Sequence, residues 1–405
     1  MNKKLGLAVA GAVMAFGASA ANAGIIIPAG DWTIDIGGNV NAYYTNTRYS
    51  GSLFNGSAGP GTDLARSNQV QTGLLPSAIG IGGKTRQNDL DIAFQFTFFT
   101  GTNSSDGVRE SRAGDYNSIN VRQSYLTFGD ASWGTIKAGR DLGLFGSDAI
   151  LSDMTLLGVG VGAGNPGNST LGRIGSGYVY ADWIGQIQYA SPNWNGFSFA
   201  VAAREGLRNG TLATSPVTGE DKTELGYDGK LSYEWAGDFS GKVWAGFITQ
   251  QHKNDTVAAG NYRSRGYELG GKINVADFGL VGYYYDGKGL DGQTGGQLGG
   301  LQFLSNSKTD DKGGYVQATY KLPTVGTKLG VSYGISKSDD VVLATGATDI
   351  ENKSWIVGAY HPLTKSLNLV AEYAQQKIDA NGQAVGALDG NGKARTISLG
   401  AILFF

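Results

Sequence analysis

The sequence predicts an all-β fold, a closed transmembrane antiparallel β-barrel of about sixteen strands with short periplasmic turns and long outer loops. Three observations predict it. The final stretch, Ala394 to Phe405, puts Ile397, Leu399, Ala401, Leu403 and Phe405 on one face and Thr396, Ser398 and Gly400 on the other. Successive side chains leave a pleated backbone on opposite sides, so this period of two marks a strand. The same one-sided pattern recurs along the chain. It is clearest at Thr223–Trp235, where Leu225, Tyr227, Leu231, Tyr233 and Trp235 oppose Glu224, Asp228, Lys230, Ser232 and Glu234. A face with four charges cannot lie in a dry core, and one with three aromatics does not lie in water. Lipid outside and a wet lumen inside satisfy both. Composition is the third observation: 66 of 405 residues are Gly, with 20 Tyr and only 8 Pro, whereas soluble proteins average about 7% Gly. Collagen is excluded, because it needs Gly at every third position.

The front of the chain reads as an export leader. Lys3 and Lys4 form a positive start, Leu5–Phe16 is apolar but too short to span a bilayer, and Ala21-Asn22-Ala23 is a small-residue cleavage site. Residues 1–23 are therefore expected to be removed, leaving 382 residues from Gly24 as one barrel domain. Without the two leader lysines, 30 basic residues stand against 34 acidic ones, a net charge of −4. Nucleic acid is not an expected partner, since a basic excess would be needed. An exported chain with no Cys cannot rely on disulfides; a closed barrel, hydrogen-bonded along every strand edge, supplies stability another way.

The strands follow in order. Trp32–Tyr44 places Trp32, Ile34, Ile36, Val40 and Ala42 opposite Asp35, Asn39 and Asn41, and polar Thr45–Gly73 reads as a long loop. Leu75–Thr85 leads through a tight turn at Arg86-Gln87-Asn88 to the stripe Leu90, Ile92, Phe94, Phe96 and Phe98. After polar Gly101–Asn117, strands Ser118–Phe128 and Gly134–Arg140 flank a short turn. Asp141–Gly177 is the longest stretch without alternation. Strands then pair as Tyr178–Ala190 with Gly196–Glu205, Thr223–Trp235 with Gly241–Gln250, and Arg263–Val275 with Phe278–Tyr285. Beyond the Gly-rich loop Asp286–Lys312 come Gly314–Leu322 with Gly326–Lys337, a loop at Asp339–Glu351, Ser354–Tyr360 with Leu367–Gln376, and a last loop at Asp379–Lys393. An even strand count is the rule for bacterial single-chain barrels, and this one is wide enough to leave an aqueous channel. Trp32, Trp133, Trp235, Phe278, Phe404 and Phe405 lie near turns and fit an outward aromatic girdle.

The closing strand with its terminal aromatics resembles the C-terminal strand of Gram-negative outer-membrane porins, the trimeric general diffusion family, and the likeness extends over the whole chain. The resemblance implies a water-filled channel in the cell outer membrane for passive diffusion of small hydrophilic solutes and ions. It implies a homotrimer, contact with outer-membrane lipid and lipopolysaccharide, and an assembly machinery that reads the strand ending at Phe405. No cofactor, metal or catalytic residue is implied.

The third outer loop, Asp141–Gly177, is the functional candidate. It opens with Leu142, Leu144, Phe145, Ile150, Leu151, Met154, Leu156 and Leu157, apolar residues with no use in water, and Ser147–Leu157 has the makings of a short helix. Porins of the trimeric family fold this loop inward to narrow the pore. Carried over, Asp141, Asp148 and Asp153 line one side of the constriction. A basic ladder faces them in the family, and strand parity turns Lys84, Arg122, Lys137, Lys230, Lys242 and Lys272 inward. Arg140 joins this wall but breaks parity with Lys137, so either one of the two faces the other way or a bulge intervenes. Opposed charges of this kind set up a transverse field that screens solutes.

Other motifs carry little. Gly162–Gly167 matches GxGxxG without a βαβ context. Asp379-Ala380-Asn381-Gly382 resembles the start of a Ca²⁺ loop, but its twelfth position is Gly390 rather than Glu. His252 and His361 do not assemble a Ser-His-Asp set, and His361 abuts Pro362 in a short turn. The second reading is a channel selective for sugars or small anions, with Tyr43, Phe99, Tyr180, Trp244 and Tyr315 along one lumen path. An outer-membrane enzyme or adhesin would need an outward His beside Ser or Thr, or larger outer domains.

Overall fold

Alternating side chains satisfy lipid and water only if every backbone group is bonded within the sheet, and the chain achieves this by closing the sheet on itself. The structure is a computed structural model. It describes residues 24–55, 66–102, 119–162, 169–206, 220–221, 224–254, 261–290, 308–343, 346–382 and 389–405; the expected leader lies outside them. Sixteen of the described strands form the ring. They are β1 Trp32–Ser50, β2 Ser77–Gln87, β3 Leu90–Thr100, β4 Asn120–Asp130, β5 Gly134–Leu142, β6 Trp183–Ala190, β7 Phe197–Arg204 and β8 Gly226–Trp235. They continue as β9 Phe239–Asn254, β10 Tyr262–Val275, β11 Phe278–Lys288, β12 Asp310–Lys321, β13 Lys328–Leu343, β14 Gly346–Pro362, β15 Leu367–Gly382 and β16 Gly390–Phe404. Each pairs antiparallel with its neighbour in sequence, and β16 closes on β1 from Phe404↔Asn39 to Lys393↔Ser50. Short strands Ile25–Ala29 and Arg66–Gln71 pair with the two ends of β1, and Glu220–Asp221 with the end of β9.

The two faces separate as the alternation demands. Leu231 and Tyr233 are about half exposed on the outside, at 52% and 46%, while Asp228 on the opposite face is 2% exposed. Phe96, Leu269, Val331 and Leu399 are likewise exposed outward. Asn41, Thr45, Thr47, Ser332, Ser354 and Ser398 are buried inward.

Differences from the sequence reading have common physical causes. The hairpin expected to open into loops at Asp339 and Asp379 continues as strand to Leu343 and Gly382, and β1 runs on to Ser50. Above the lipid band the outward residues turn polar, so the hydrophobic alternation stops although the hydrogen-bond ladder does not. The tight turn sits at Asn88 and Asp89, both at positive φ (48° and 62°), the geometry of a type I′ hairpin. β6 starts at Trp183 rather than Tyr178, because residues 178–182 still belong to the lumen loop. Phe404 is buried on the inward face beside Ile402. Adjacent residues of one strand cannot share a face, so Phe404 and Phe405 cannot both join the outer girdle. Trp133 and Phe278 are exposed there as expected.

Candidate functional site

The described residues of the segment between β5 and β6 fold into the barrel and bond to inward-facing residues of eight wall strands, named below. Its apolar opening explains why. Phe145, Ile150 and Leu156 pack with Trp244, Tyr283, Tyr285 and Tyr315 of the wall, and Met154 packs with Tyr43, Ile356 and Tyr360. A helix at Ser147–Ser152 and a 3₁₀ turn at Met154–Leu157 occupy the span expected to be helical. They are separated at Asp153, which caps the second by accepting from the Thr155 N–H (2.9 Å).

A loop inside a barrel must find partners for its own backbone, and polar groups of the wall provide them. Asp228 of β8 accepts from the N–H groups of Leu144 and Phe145. Glu268 of β10 accepts from Gly146 N–H and from the Tyr283 hydroxyl of β11, each at 2.8 Å. On β12, the Tyr315 hydroxyl donates to Ala149 O (2.7 Å), and Gln317 accepts from Met154 N–H (2.7 Å). Glu372 of β15 accepts from Val159 and Gly160 N–H (2.8 Å each) and from the Tyr360 hydroxyl of β14 (2.7 Å). Tyr43 of β1 donates to Leu157 O at 2.7 Å. Farther on, Arg173 donates to Ser332 of β13 (2.6 Å) and Ser354 of β14 (3.0 Å). With Gln250 of β9, Arg204 and Asp228 form a buried cluster beneath the loop's start.

The expected charged residues are distributed unequally. Asp148 sits at the first turn of the helix between two wall lysines, 2.7 Å from Lys230 and 2.5 Å from Lys242. Lys272 stands directly opposite Lys242 in register, with no carboxylate within 4.0 Å among the described residues. Asp141 belongs to β5 rather than to the loop; it meets Lys137 at 2.5 Å and accepts from Gln123 at 2.8 Å. Asp153 is buried, as the cap described and as acceptor for the Tyr178 hydroxyl (2.8 Å). Lys84 turns inward, paired in register with Ala93, but lies exposed near the short-turn end, away from the loop contacts described.

Arg140 departs from the expected wall, whereas Arg122 keeps its expected inward side. Arg140 pairs in register with Ser124 and shares the outward face of Ala138 and Leu126, so it stands outside the lumen wall and approaches Glu205 at 4.0 Å. Lys137 and Asp141 keep the inward face. The bulge is on β4 instead, where pairing skips from Thr97↔Gln123 to Phe98↔Val121. The skipped residue is Arg122, which turns inward over the Phe99 ring, 4.9 Å from its centroid.

Asp228, Glu268, Gln317 and Glu372 were not among the expected constriction residues, although Asp228 was read as inward. Their signal was available: each is a polar residue at an inward mid-strand position, and a buried acid needs bonded partners.

The Asp148 bridge has a pH consequence. Burial by itself would raise the Asp148 carboxyl, but Lys230 and Lys242 outweigh it and hold it well below the usual carboxylate range. A group depressed in the folded state contributes in full above its unfolded value, about pH 4, and its contribution is lost as pH falls through the lower folded value. The difference in current noise between wild type and Asp148→Asn should therefore be constant from neutrality to about pH 4 and shrink only in stronger acid. A difference that vanishes between pH 7 and about pH 5 would refute the bridge.

Comparison with known proteins places this architecture. A Gram-negative porin family model matches residues 8–381. The chain belongs to the Gram-negative porin family. The porin's fold is shared with the outer-membrane channel DcaP of Acinetobacter baumannii (TM-score 0.65, 17% identity, covering 95% of this chain and 100% of that one). An anion-selective porin from Comamonas acidovorans is similar at TM-score 0.61 and 15% identity, covering 92% and 100%. OmpF of Salmonella typhi, in complex with daunomycin, is similar at TM-score 0.60 and 18% identity, covering 93% and 100%. No curated protein matches the sequence significantly. This porin is an outer-membrane channel for passive diffusion.

Proposed function

We propose that this porin is a general diffusion channel for small hydrophilic solutes, narrowed where residues 143–162 and 169–182 lie in the lumen and weakly selective for anions. One observation carries the selectivity. Asp148, the loop carboxylate nearest the basic wall, is shared by Lys230 and Lys242, while Lys272 opposite Lys242 has no carboxylate within 4.0 Å among the described residues. The cations of this wall outnumber the carboxylate that faces them, so the local field favours anions although the whole chain is slightly acidic.

Reversal potentials in planar bilayers under a KCl gradient test this. Wild type should favour chloride, and Lys272→Glu should move the reversal potential toward potassium at nearly unchanged conductance. Cation preference in wild type, or no shift in the variant, would refute the reading.

The sugar-channel reading is the weaker one, since of its five aromatics only Tyr180 is less than fully buried. Tyr43, Phe99, Trp244 and Tyr315 face inward but are buried, at 1–3% exposure, with Tyr43, Trp244 and Tyr315 packed against the loop or bonded to it.

The porin acts without catalysis in this reading. The Ser264 hydroxyl donates to Gly289 O (2.7 Å), so His252, 2.9 Å away, donates to it and cannot serve as its base. Homotrimeric assembly is part of the same proposal; OmpT of Vibrio cholerae, a protein of this fold, is described in a trimer form.

A further inference from the structure

The lumen loop is latched to one side of the barrel and leaves a recess on the other, against the long-loop ends of β3 to β6. Its volume is about 120 Å³. Ile150, Leu156 and Leu171 of the loop form one side, and Leu75, Phe99 and Trp183 of the wall form the other. Apolar residues make up most of the lining, so water there finds few partners. An apolar cavity of about 150 Å³ holds a benzene ring. The recess is therefore the size of one flat ring, and neither its size nor its lining suits a sugar.

Among the described residues of the lining, Arg122 alone is charged. The β4 bulge delivers it: pairing skips this residue, and its guanidinium lies over the Phe99 ring, 4.9 Å from the centroid. Trp183 stands against the same ring at 5.7 Å between centroids. The Tyr180 hydroxyl, also in the lining, is a hydrogen-bond partner of the guanidinium. Asp182 acts on Arg122 through its charge, but its carboxylate accepts from the Trp183 N–H (2.7 Å) and does not line the recess. The latches that hold the loop use neither Arg122 nor Phe99, and a passage for hydrophilic solutes has no need of an apolar recess.

We propose that this recess binds a small aromatic carboxylate, with benzoate the simplest of the class. The ring enters between loop and wall, and the carboxylate meets Arg122, whose planar fork engages two oxygens at once. Both halves of the ligand are required. A neutral ring forgoes the charge-assisted bonds, and acetate or chloride forgoes the burial of apolar surface. The site goes beyond the chloride preference proposed above and does not depend on it. Binding here is local to Arg122, whereas the preference was argued from Lys230, Lys242 and Lys272.

Calorimetric titration of the full-length porin in detergent with sodium benzoate, against a blank of the same detergent, tests this. Wild type should show saturable binding. Benzyl alcohol, with the same ring and no charge, should bind at least about tenfold more weakly. Arg122→Gln should weaken benzoate by about tenfold to a hundredfold and leave benzyl alcohol unchanged. Leu171→Trp, which fills the recess and keeps the cation, should remove the binding of both. Lys272→Gln should bind benzoate as wild type does. Should Arg122→Gln fail to fold, Leu171→Trp and the two ligands on wild type decide the matter. Equal affinity for benzoate and benzyl alcohol would overturn the proposal, by making the recess a site for any apolar ring. Displacement of benzoate by an equal concentration of acetate would overturn it by making Arg122 a site for any small anion. Equal weakening by Lys272→Gln and Arg122→Gln would do so by making the attraction a property of the whole basic wall, and absence of saturable binding would remove the site outright. Cation preference in the reversal potentials, with benzoate bound as expected, would refute the chloride reading and leave this site standing.

Discussion

Glu372→Ala should unlatch the far arm of the lumen loop and convert a steady channel into a noisy one with higher mean conductance. The wild-type carboxylate accepts three hydrogen bonds, from Val159 N–H, Gly160 N–H and the Tyr360 hydroxyl. Ala leaves all three donors without an acceptor in a buried place, and each loss costs about 1–3 kcal/mol. The docked loop would then be disfavoured by roughly a hundredfold or more. Glu372→Gln should be intermediate, because one amide oxygen cannot accept all three. Gly158→Ala provides an independent route to the same result: an added Cβ there would lie 2.0 Å from the Glu372 carboxylate. Planar-bilayer recording reads all three variants. Open-channel current in Glu372→Ala as quiet and as small as in wild type would show that the loop is held without this latch.

Arg204→Ala should destabilise the barrel by about 3–5 kcal/mol, the largest stability effect expected from a single side chain here. Arg204 and Asp228 lie 2.8 Å apart with side chains 1% exposed each, and Gln250 completes the cluster at 3.1 Å. Removing the guanidinium leaves Asp228 as a buried carboxylate without its counter-ion, or forces it to take up a proton. Arg204→Met with Asp228→Asn should recover most of the loss, since Asn keeps a carbonyl acceptor for the Leu144 and Phe145 N–H groups. Urea unfolding of the porin in lipid vesicles measures both variants. Equal midpoints for wild type and Arg204→Ala would mean that water reaches Asp228 and that the cluster contributes little.

The constriction charges were legible only in part. Lys230 and Lys242 could be turned inward because inward and outward residues alternate strictly through β8 and β9, and the resemblance implied that Asp148 would face them. Arg140 stayed open because it breaks parity with Lys137, and Arg122 reaches its expected inward side only through a bulge. A single skipped residue at the β4 bulge reverses parity locally, and the sequence carries no mark of it. The wall acids that latch the loop were visible as inward polar positions, but their use was not. Glu372 becomes a loop latch only because a segment 212 residues earlier in the chain is laid against it.

From its order of residues alone, this chain determined that a sheet would close, which face would meet lipid and which segment would lie against the wall. Those properties are local: they depend on period two, on apolar content and on where the alternation stops. Only the tertiary structure decided which carboxylates face the basic wall and which are buried as caps. The reason is register. A strand carries its own alternation, but the partner opposite each residue is set by how neighbouring strands slide past one another before the ring closes.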